Sequence, residues 1–186
     1  MAIKRLVVDG YGQLELNNVA FRRDGRVEAQ CALDATDFAD TVAENGMLLA
    51  VDNVTRTVKF ATDDSLPIAL NYTAEHMYDE RKVGLKDFSL SIADGFYPRL
   101  GYLAVGDKFT TNCIAYDDEE YADAAAIKDA TTVDALKETP VYGGISATGA
   151  ILVSATKPEV GPVLLAVKGY TMPDGQFGIK FQAVKA

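Results

Sequence analysis

The sequence has few of the residues from which enzyme sites are usually built. It contains no tryptophan, one histidine (His76) and two cysteines among its 186 residues. A Ser-His-Asp triad or a multi-histidine metal centre would therefore depend on His76 alone, and no serine lies in a Gly-x-Ser-x-Gly pattern. We interpret His76 as a structural or surface residue. The chain is predicted to have no catalytic residues and not to be an enzyme.

The patterns of metal and cofactor sites are missing as well. The acidic run 117–120 lacks the alternating ligands and the mid-loop glycine of a calcium loop, so we interpret it, like Asp63-Asp64, as solvated surface. The glycine-rich stretch 143–149 lacks the lysine of a phosphate-binding loop. Any two carboxylates of a fold can meet, but without tryptophan nothing indicates a sugar-binding cleft. We expect neither a metal nor a cofactor.

The sequence has fewer basic than acidic residues. The chain has 18 Lys and Arg residues against 27 Asp and Glu residues, which gives a formal net charge of -9. An acidic surface repels phosphate backbones and anionic lipid headgroups, and the basic residues are scattered rather than gathered into a stripe. We therefore predict that the protein binds neither nucleic acid nor a membrane.

The two cysteines, Cys31 and Cys113, lie far apart in the sequence. One disulfide between them is conceivable, but two buried free thiols are expected in a protein made in a reducing cytoplasm. The apolar stretch within residues 1–8 is too short for the core of a secretory signal and ends at Asp9-Gly10. We expect synthesis in a reducing cytoplasm.

What the sequence does contain is typical of a mainly β fold. Four Asp-Gly pairs, at 9–10, 24–25, 94–95 and 174–175, separate apolar stretches, and Asp-Gly tolerates the positive φ of tight hairpin turns. Two antiparallel hairpins are predicted, 163–167 with 179–184 and 47–51 with 54–60. Further strands are predicted at 3–8, 26–33, 68–74, 85–92, 100–105, 108–115 and 144–153. We expect one domain over residues 1–186, an antiparallel β-sandwich or β-barrel, with residues 1–8 as a first strand or an N-terminal arm.

One or two short helices interrupt this pattern. Residues 117–137 begin with four carboxylates and continue with alanines, so they favour a helical insert that Thr131-Thr132 breaks, with a second turn possible after the break. A shorter helix is predicted at 35–43, where Asp34 is in position to cap and Phe38 with Val42 forms an apolar pair.

Several runs of the chain resemble one family of proteins. The densest likeness lies between Leu66 and Asn112, and it extends to Ala43–Asp52 and the closing run Gly169–Phe181. The runs within the dense part are Glu75–Lys82, Gly84–Phe88, Tyr97–Arg99 and Gly106–Asn112. With these runs the chain resembles the decoration or auxiliary head proteins that accompany the capsid shell of tailed bacteriophages.

The resemblance implies a structural virion protein on the outer capsid surface, which binds the major capsid protein, bridges its subunits and stabilises the shell. It also implies a homo-oligomer, for which we expect a trimer. Two alternatives stay open: a head-fibre base or tail structural protein of the virion, and a ligand-binding β-barrel that is not viral.

Aromatic and arginine side chains dominate the binding energy of interfaces, so some of those in the family-like region are expected to anchor the capsid or subunit interface. The candidates are Tyr72, Tyr78, Phe96, Tyr97, Arg99 and Tyr102. The alternative for each is a place in the core of a strand. Residues 2–8 are a second candidate contact, as an arm that adds a strand to a sheet of a neighbouring subunit.

Overall fold

Strands dominate the structure. The computed structural model describes residues 2–73, 89–95 and 97–186. Strand makes up 38% and helix 13% of the fold, which confirms the mainly β class expected from the sequence. The sheets pack as a sandwich, and among the described residues none of them closes into a barrel.

The larger sheet has eight strands. In spatial order they are β1 (Ile3–Arg5), β12 (Ile114–Asp117), β14 (Ile151–Ser154), β13 (Tyr142–Gly144), β15 (Val163–Thr171), β16 (Phe177–Lys185), β11 (Lys108–Thr111) and β2 (Leu14–Asn18). The pairs are antiparallel except β12 with β14, which is parallel. The sheet is therefore mixed, where an antiparallel one was predicted.

The second sheet has six strands, and a third has two. The six are β3 (Val27–Glu28), β10 (Leu100–Gly101), β8 (Ile68–Asn71), β6 (Leu48–Asp52), β7 (Thr57–Phe60) and β4 (Ala32–Leu33). Only the β4–β7 pair of this sheet is parallel. The two-stranded sheet joins β5 (Ala43–Glu44) to β9 (Ser89–Leu90).

The β6 strand lies at the centre of the hydrophobic core. Leu48 belongs to a buried cluster with Phe109 and Phe181 of the larger sheet, whereas Leu49 belongs to a second cluster with Cys113. Successive side chains of a strand point to opposite faces, so β6 is buried on both. This explains why its sequence is a continuous apolar run instead of an alternating one. Full burial of such side chains stabilises the fold by about 1.5–3 kcal/mol each.

Both predicted hairpins form. β15 and β16 pair around Gly175, which has φ +88°, so this hairpin is confirmed and is longer than predicted. β6 and β7 also pair, but β7 starts at Thr57. Residues 54–56 were predicted to belong to the second strand; instead they lie in the turn. The Asp52 carboxylate accepts the backbone N–H groups of residues 54 and 55 and so holds that wider turn.

The four Asp-Gly pairs all place glycine at positive φ, but they do not all form hairpins. Gly10, Gly25, Gly95 and Gly175 have φ values of 81°, 70°, 69° and 88°. Gly25 ends helix α1 (Ala20–Asp24) and Gly95 ends a 3-10 turn (Ile92–Asp94). A glycine in the left-handed conformation can end a helix or form the turn of a hairpin. The Asp-Gly dipeptide therefore predicts the positive φ of its glycine, but not whether a helix end or a hairpin turn lies there.

The predicted helical insert is confirmed in two pieces. Helix α2 (Ala124–Ala130) starts after Asp123, whose carboxylate accepts the N–H of Ala126 at 2.9 Å. Helix α3 (Val133–Glu138) follows the break at Thr131-Thr132. The insert begins later than predicted because Asp117 belongs to β12.

The helix predicted at 35–43 is wrong, because residues 35–40 form turns and bends and Ala43 belongs to a strand. The Asp34 carboxylate accepts the N–H groups of Thr36 and Asp37, and the carbonyl of Asp34 accepts the N–H of Phe38 at 3.1 Å. The chain then leaves the helical path, since Ala43 pairs in β5. Phe38 is buried against Phe60, with ring centroids 4.6 Å apart.

Most other predicted strands contain a shorter observed one. The segment 26–33 splits into β3 and β4, 108–115 into β11 and the start of β12, and 144–153 covers the end of β13 and most of β14. Of the segment 85–92, residues 85–88 lie outside the described residues, and β9 covers 89–90. β2, β5 and α1 were not predicted. Cys31 and Cys113 are free and buried, as expected.

The N-terminal segment has a partner in its own chain. Ile3, Lys4 and Arg5 pair with Asp117, Tyr116 and Ala115 of β12. The N–H of Leu6 continues the ladder by donating to the carbonyl of Ile114 at 2.9 Å. Residues 1–8 were expected to form either a first strand or an N-terminal arm. The structure has a first strand at residues 3–5, at the edge of the larger sheet.

Candidate interaction surface

Tyr72 is a core residue. Its side chain is 1% exposed, and its ring lies 5.0 Å from the ring of Phe21. The hydroxyl accepts a hydrogen bond from Nε of Arg99 at 3.3 Å. Of the two alternatives for this tyrosine, the structure shows burial in the core, which leaves no ring surface for a partner to contact.

Tyr97 and Arg99 lie closer to the surface. Tyr97 is 51% exposed, and Arg99 is half-buried. The backbone of Arg99 is fixed on both sides, because its N–H donates to Oγ1 of Thr73 at 2.7 Å and its carbonyl accepts the N–H of Tyr72 at 3.1 Å. The structure therefore brings Tyr72 and Arg99 together and leaves Tyr97 available for a contact.

The remaining candidates divide into two groups. Tyr78, Phe96 and the sole histidine, His76, lie outside the described residues. Tyr102 is described, and it is half-buried at the rim of an open groove of about 400 Å³. We call this the apolar groove; its lining consists of Asp64, Leu66, Pro67, Ile68, Tyr102, Leu103, Gly161, Pro162, Lys185 and Ala186.

The backbone around Tyr102 is held by the six-stranded sheet. Its N–H donates to the carbonyl of Arg26 at 3.0 Å, and the Arg26 guanidinium donates to the carbonyl of Leu103 at 3.4 Å. Leu103 is buried in the cluster that contains Phe109, whereas Tyr102 packs against the other cluster. Through Leu103 and Tyr102, the lining of the apolar groove therefore packs against both clusters of the core.

The Tyr102 phenol is suited to binding and not to proton transfer. Burial raises its pKa above the ordinary value of 10.0, and a hydrogen bond from Asn53 opposes the shift in part, while the nearby Glu28 raises it further. A raised pKa keeps the phenol neutral at neutral pH. The ring then offers apolar area together with a hydroxyl, the combination that makes tyrosine common at interfaces.

Exposed valines adjoin the apolar groove along the chain. Val160 precedes Gly161 and is 41% exposed, and Val184 precedes Lys185 and is 37% exposed. Val105 follows Leu103 by two residues and is 70% exposed. Within the lining itself, Pro67 is exposed and Leu66 and Ile68 are half-buried, so the groove presents apolar side chains to solvent. Exposed apolar surface is typical of a protein contact site. The lining residues Asp64 and Lys185 supply polar groups at the same place.

Sequence reasoning named Tyr102 and none of the other residues that line the apolar groove. One signal was present, the apolar Leu66-Pro67 between the acidic turn and β8. That this segment meets Tyr102 depends on the packing of strands far apart in the sequence.

No group of three or more His, Cys, Asp and Glu side chains that could hold a metal ion occurs within residues 2–73, 89–95 and 97–186. In the same part of the chain, no helix has the length and apolar character needed to cross a membrane. Comparison of the chain with protein-family models, with curated proteins and with solved structures finds no match.

Proposed function

We propose that this chain is a structural protein of a phage virion, which binds the outside of the assembled capsid and stabilises the shell. The observation that supports this most is the apolar groove, because its lining residue Tyr102 lies within the region Leu66–Asn112 that resembles decoration proteins. Its lining residues Leu103 and Tyr102 pack against the two core clusters, so the core holds this surface in place before a partner binds. Preorganised surfaces lose less entropy on binding.

The chemistry of the apolar groove fits a protein partner. Leu66, Pro67, Ile68 and Pro162 offer apolar area, and Tyr102 offers a ring with a hydroxyl. An aromatic anchor surrounded by apolar side chains is the usual arrangement of the residues that dominate interface energy. The partner in this proposal is the major capsid protein, and a homo-oligomer, for which we propose a trimer, would repeat the contact around a symmetry axis of the shell.

The charge of the chain favours the outer face of the shell. At a net charge of -9, the protein would be repelled by the packaged DNA on the inner side. The outer face carries no such penalty, and like-charged free copies stay dispersed until they bind.

Co-sedimentation of the purified protein with empty phage heads tests this function. We expect saturable binding, with many copies per head in a number set by the symmetry of the shell. Binding of a few copies at one vertex or at the tail, or no binding, would contradict the proposal.

A matched pair of variants tests the surface separately. Leu66→Ala removes apolar area from the lining of the apolar groove and should weaken binding about fivefold, equivalent to about 1 kcal/mol. Val7→Ala removes apolar area at a valine that is 93% exposed and does not line the groove, so it should bind as the unmodified protein does. Equal binding of both variants would show that another surface makes the contact, even if the protein decorates the shell.

A further inference from the structure

Three neighbouring strands of the larger sheet carry lysines and no carboxylates. β15, β16 and β11 lie side by side in that sheet. They contain four lysines and no Asp or Glu residue, in a chain that has 27 Asp and Glu residues in all. The basic residues are scattered along the sequence, but the pairing of these strands brings several of them together.

Strand pairing places three of the lysines on one face of the sheet. Lys168 of β15 is directly opposite Lys180 of β16, and Lys108 of β11 is directly opposite Gln182 of β16. Residues that pair in this way point to the same face, and successive residues alternate, so the buried Phe181 points to the other face. We call this surface the lysine face; its residues are Lys108, Lys168, Lys180 and Tyr170.

The charge of the lysine face is not balanced within the chain. Like charges directly opposite each other on neighbouring strands destabilise a sheet, and Lys168 and Lys180 are such a pair. Among the residues that the structure describes, no lysine of this face makes an ion pair, and Lys168 lies only over the ring of Tyr170, 5.5 Å from its centroid. Lys168 is exposed, and Lys108 and Lys180 are half-buried. The lysine face can therefore accept a partner that supplies negative charge.

The chain itself carries a surface of the opposite charge. Residues 117–138, which we call the acidic segment, contain eight Asp and Glu residues and two Lys residues, a net charge of -6. Asp134 is paired with Lys137 at 2.7 Å. Asp129 and Glu138 are exposed, and the described part of the chain offers their carboxylates neither an ion pair nor a hydrogen bond. Unpaired carboxylates on the acidic segment thus match unpaired ammonium groups on the lysine face.

The acidic segment and the lysine face lie on opposite sides of the larger sheet. Gly169 of β15 is opposite Ile179, which belongs to the core cluster that contains Phe181. A Cβ atom on Gly169 would lie 2.8 Å from Oγ1 of Thr131, so the helical insert packs on this core-facing side of β15. Lys168, the preceding residue, points the opposite way. The two charged surfaces can therefore be matched between copies of the chain and not within one copy.

We propose that the lysine face binds the acidic segment of a second copy of this chain. Such a contact is head-to-tail, because it uses a different surface on each copy, and it forms a closed ring when the rotation between copies permits. It supplies a contact for the homo-oligomer proposed above and so rests on that part of the proposed function. Binding to a capsid is not required for it.

The net charge of the chain limits this association to high protein concentration. Copies that each carry a charge of -9 repel one another, so dilute copies stay apart. At about 0.1 M salt the Debye length is about 10 Å, so the repulsion between whole copies is screened more than the attraction between groups in contact. Copies held side by side on a larger assembly would have the high effective concentration that favours the contact.

Sedimentation velocity of the full chain, without phage heads, tests this contact. In a concentration series at about 0.1 M sodium chloride, we expect the average mass to rise above that of the monomer as the protein concentration rises. At about 1 M sodium chloride, where the Debye length is about 3 Å, the mass should return to that of the monomer.

Charge-reversal variants locate the two surfaces. Lys168→Glu places a carboxylate opposite Lys180, so it should fold at least as stably as the unmodified protein and still weaken association more than about tenfold. Asp129→Lys/Glu138→Lys reverses two exposed charges of the acidic segment and should weaken association similarly. Lys157→Glu is the matched control, because it makes the same change at an exposed lysine outside the three strands. It should associate as the unmodified protein does.

A mixture of the two defective variants gives the sharpest result. Lys168→Glu keeps an intact acidic segment, and Asp129→Lys/Glu138→Lys keeps an intact lysine face. One head-to-tail contact is then possible between the two variants and no second one. We expect each variant to sediment as a monomer and an equimolar mixture to form a one-to-one dimer and nothing larger.

Three results would overturn the inference. One is a monomeric unmodified protein at every concentration; if Lys168→Glu then lost binding to phage heads, the lysine face would contact the capsid protein instead. Another is an equal effect of Lys168→Glu and Lys157→Glu, because association would then depend on net charge alone. The third is a mixture that forms no dimer. Failure of the co-sedimentation with phage heads would leave these measurements unaffected, so the two proposals can fail independently.

Discussion

Tyr72 and Tyr97 contribute differently to the stability of the fold. Tyr72 is hydrogen-bonded to Arg99, and Tyr97 precedes Arg99 by two residues. Tyr72 is 1% exposed and packs on Phe21, while Tyr97 is 51% exposed. A buried aromatic ring contributes to stability through many packing contacts, whereas a ring in solvent contributes little to folding and is free to contribute to binding.

Alanine substitution should separate these two tyrosines. Tyr72→Ala leaves a cavity beside Phe21 and should lower the free energy of unfolding by about 3–5 kcal/mol. Tyr97→Ala should change it by less than about 0.5 kcal/mol. Urea unfolding followed by circular dichroism measures both. A large loss for Tyr97→Ala would mean that this ring packs against the core, and it would remove Tyr97 from the candidate interface.

Single residues also show how far the sequence could predict the interaction surface. Tyr102 could be named because aromatic residues in a family-like run are candidate anchors whatever the fold. Leu66 could have been named, because it is an apolar residue between the acidic pair Asp63-Asp64 and the predicted strand 68–74. Pro162 could not, since its place beside Tyr102 results from the packing of segments about sixty residues apart, and no local pattern encodes that distance.

At the scale of elements, an ion pair ties the edge strand β1 to β5. Nη2 and Nη1 of Arg5 lie 3.0 and 3.4 Å from the carboxylate oxygens of Glu44, which also accepts the N–H of Gly12 at 2.5 Å. The side chains are 30% and 14% exposed, so the pair is largely screened from water. Among the residues that the structure describes, Nε of Arg5 is buried and has no hydrogen-bond partner. The pair therefore connects the larger sheet to the two-stranded one while leaving one donor unsatisfied.

Breaking this pair from one side should be costly. Glu44→Gln keeps an acceptor for Gly12 but leaves the guanidinium without a counter-charge, so we expect a loss of about 2 kcal/mol in the free energy of unfolding. The double variant Arg5→Met/Glu44→Gln removes the uncompensated charge together with the unsatisfied Nε. It should be no less stable than Glu44→Gln alone. Additive losses in a double-mutant cycle of urea unfolding would show that the two side chains are not coupled.

The outer end of β1 depends on pH. The Asp118 carboxylate accepts the N–H of Ala2 at 3.0 Å and lies 3.3 Å from the ammonium of Lys4. The hydrogen bond from Ala2 first, and the one from Lys4 second, lower the pKa of Asp118 below its ordinary value of 3.8. A carboxyl with a lowered pKa in the folded state stabilises the fold above the unfolded value, and this contribution is lost as the pH falls through the folded value.

Asp118→Asn should therefore speed amide hydrogen exchange in β1 at neutral pH, whereas below pH 3.8 the difference from the unmodified protein should shrink and then vanish. Asp129→Asn is the matched control, because that exposed carboxylate makes no hydrogen bond with a described residue. Its effect should not depend on pH over the same range. A constant difference between Asp118→Asn and the unmodified protein at all pH values would rule out this linkage.

The elements that the sequence could predict are those with local signals. The β15–β16 hairpin has alternating strands around a turn with glycine at positive φ, and the α2–α3 insert has alanines and capping side chains. The pairing of β1 with β12 and of β2 with β11 joins segments roughly a hundred residues apart. Such pairing is decided by the burial of whole sheet faces, so no window of the sequence reveals it.

At the scale of the whole molecule, the apolar groove and the acidic segment 117–138 have different chemistry. The apolar groove is formed by Leu66, Pro67, Tyr102 and their neighbours, while the acidic segment contains eight Asp and Glu residues against two Lys residues. Burial of apolar area is little weakened by salt, and excluded salts strengthen it. Attraction between exposed charges is screened, with a Debye length of about 10 Å at 0.1 M salt. Salt therefore distinguishes the contributions of the two surfaces.

Binding to phage heads should accordingly weaken as sodium chloride rises from about 50 to about 500 mM, because the acidic segment loses its attraction for basic groups of the partner. The variant Glu120→Gln/Glu138→Gln should bind more weakly at low salt and show a flatter salt dependence. Leu66→Ala should weaken binding by the same factor at every salt concentration, since it alters only apolar area. Co-sedimentation across a salt series measures all three proteins. If the double glutamine variant kept the full salt dependence, the electrostatic contribution would have to come from other carboxylates, and the contribution assigned to Glu120 and Glu138 would be wrong.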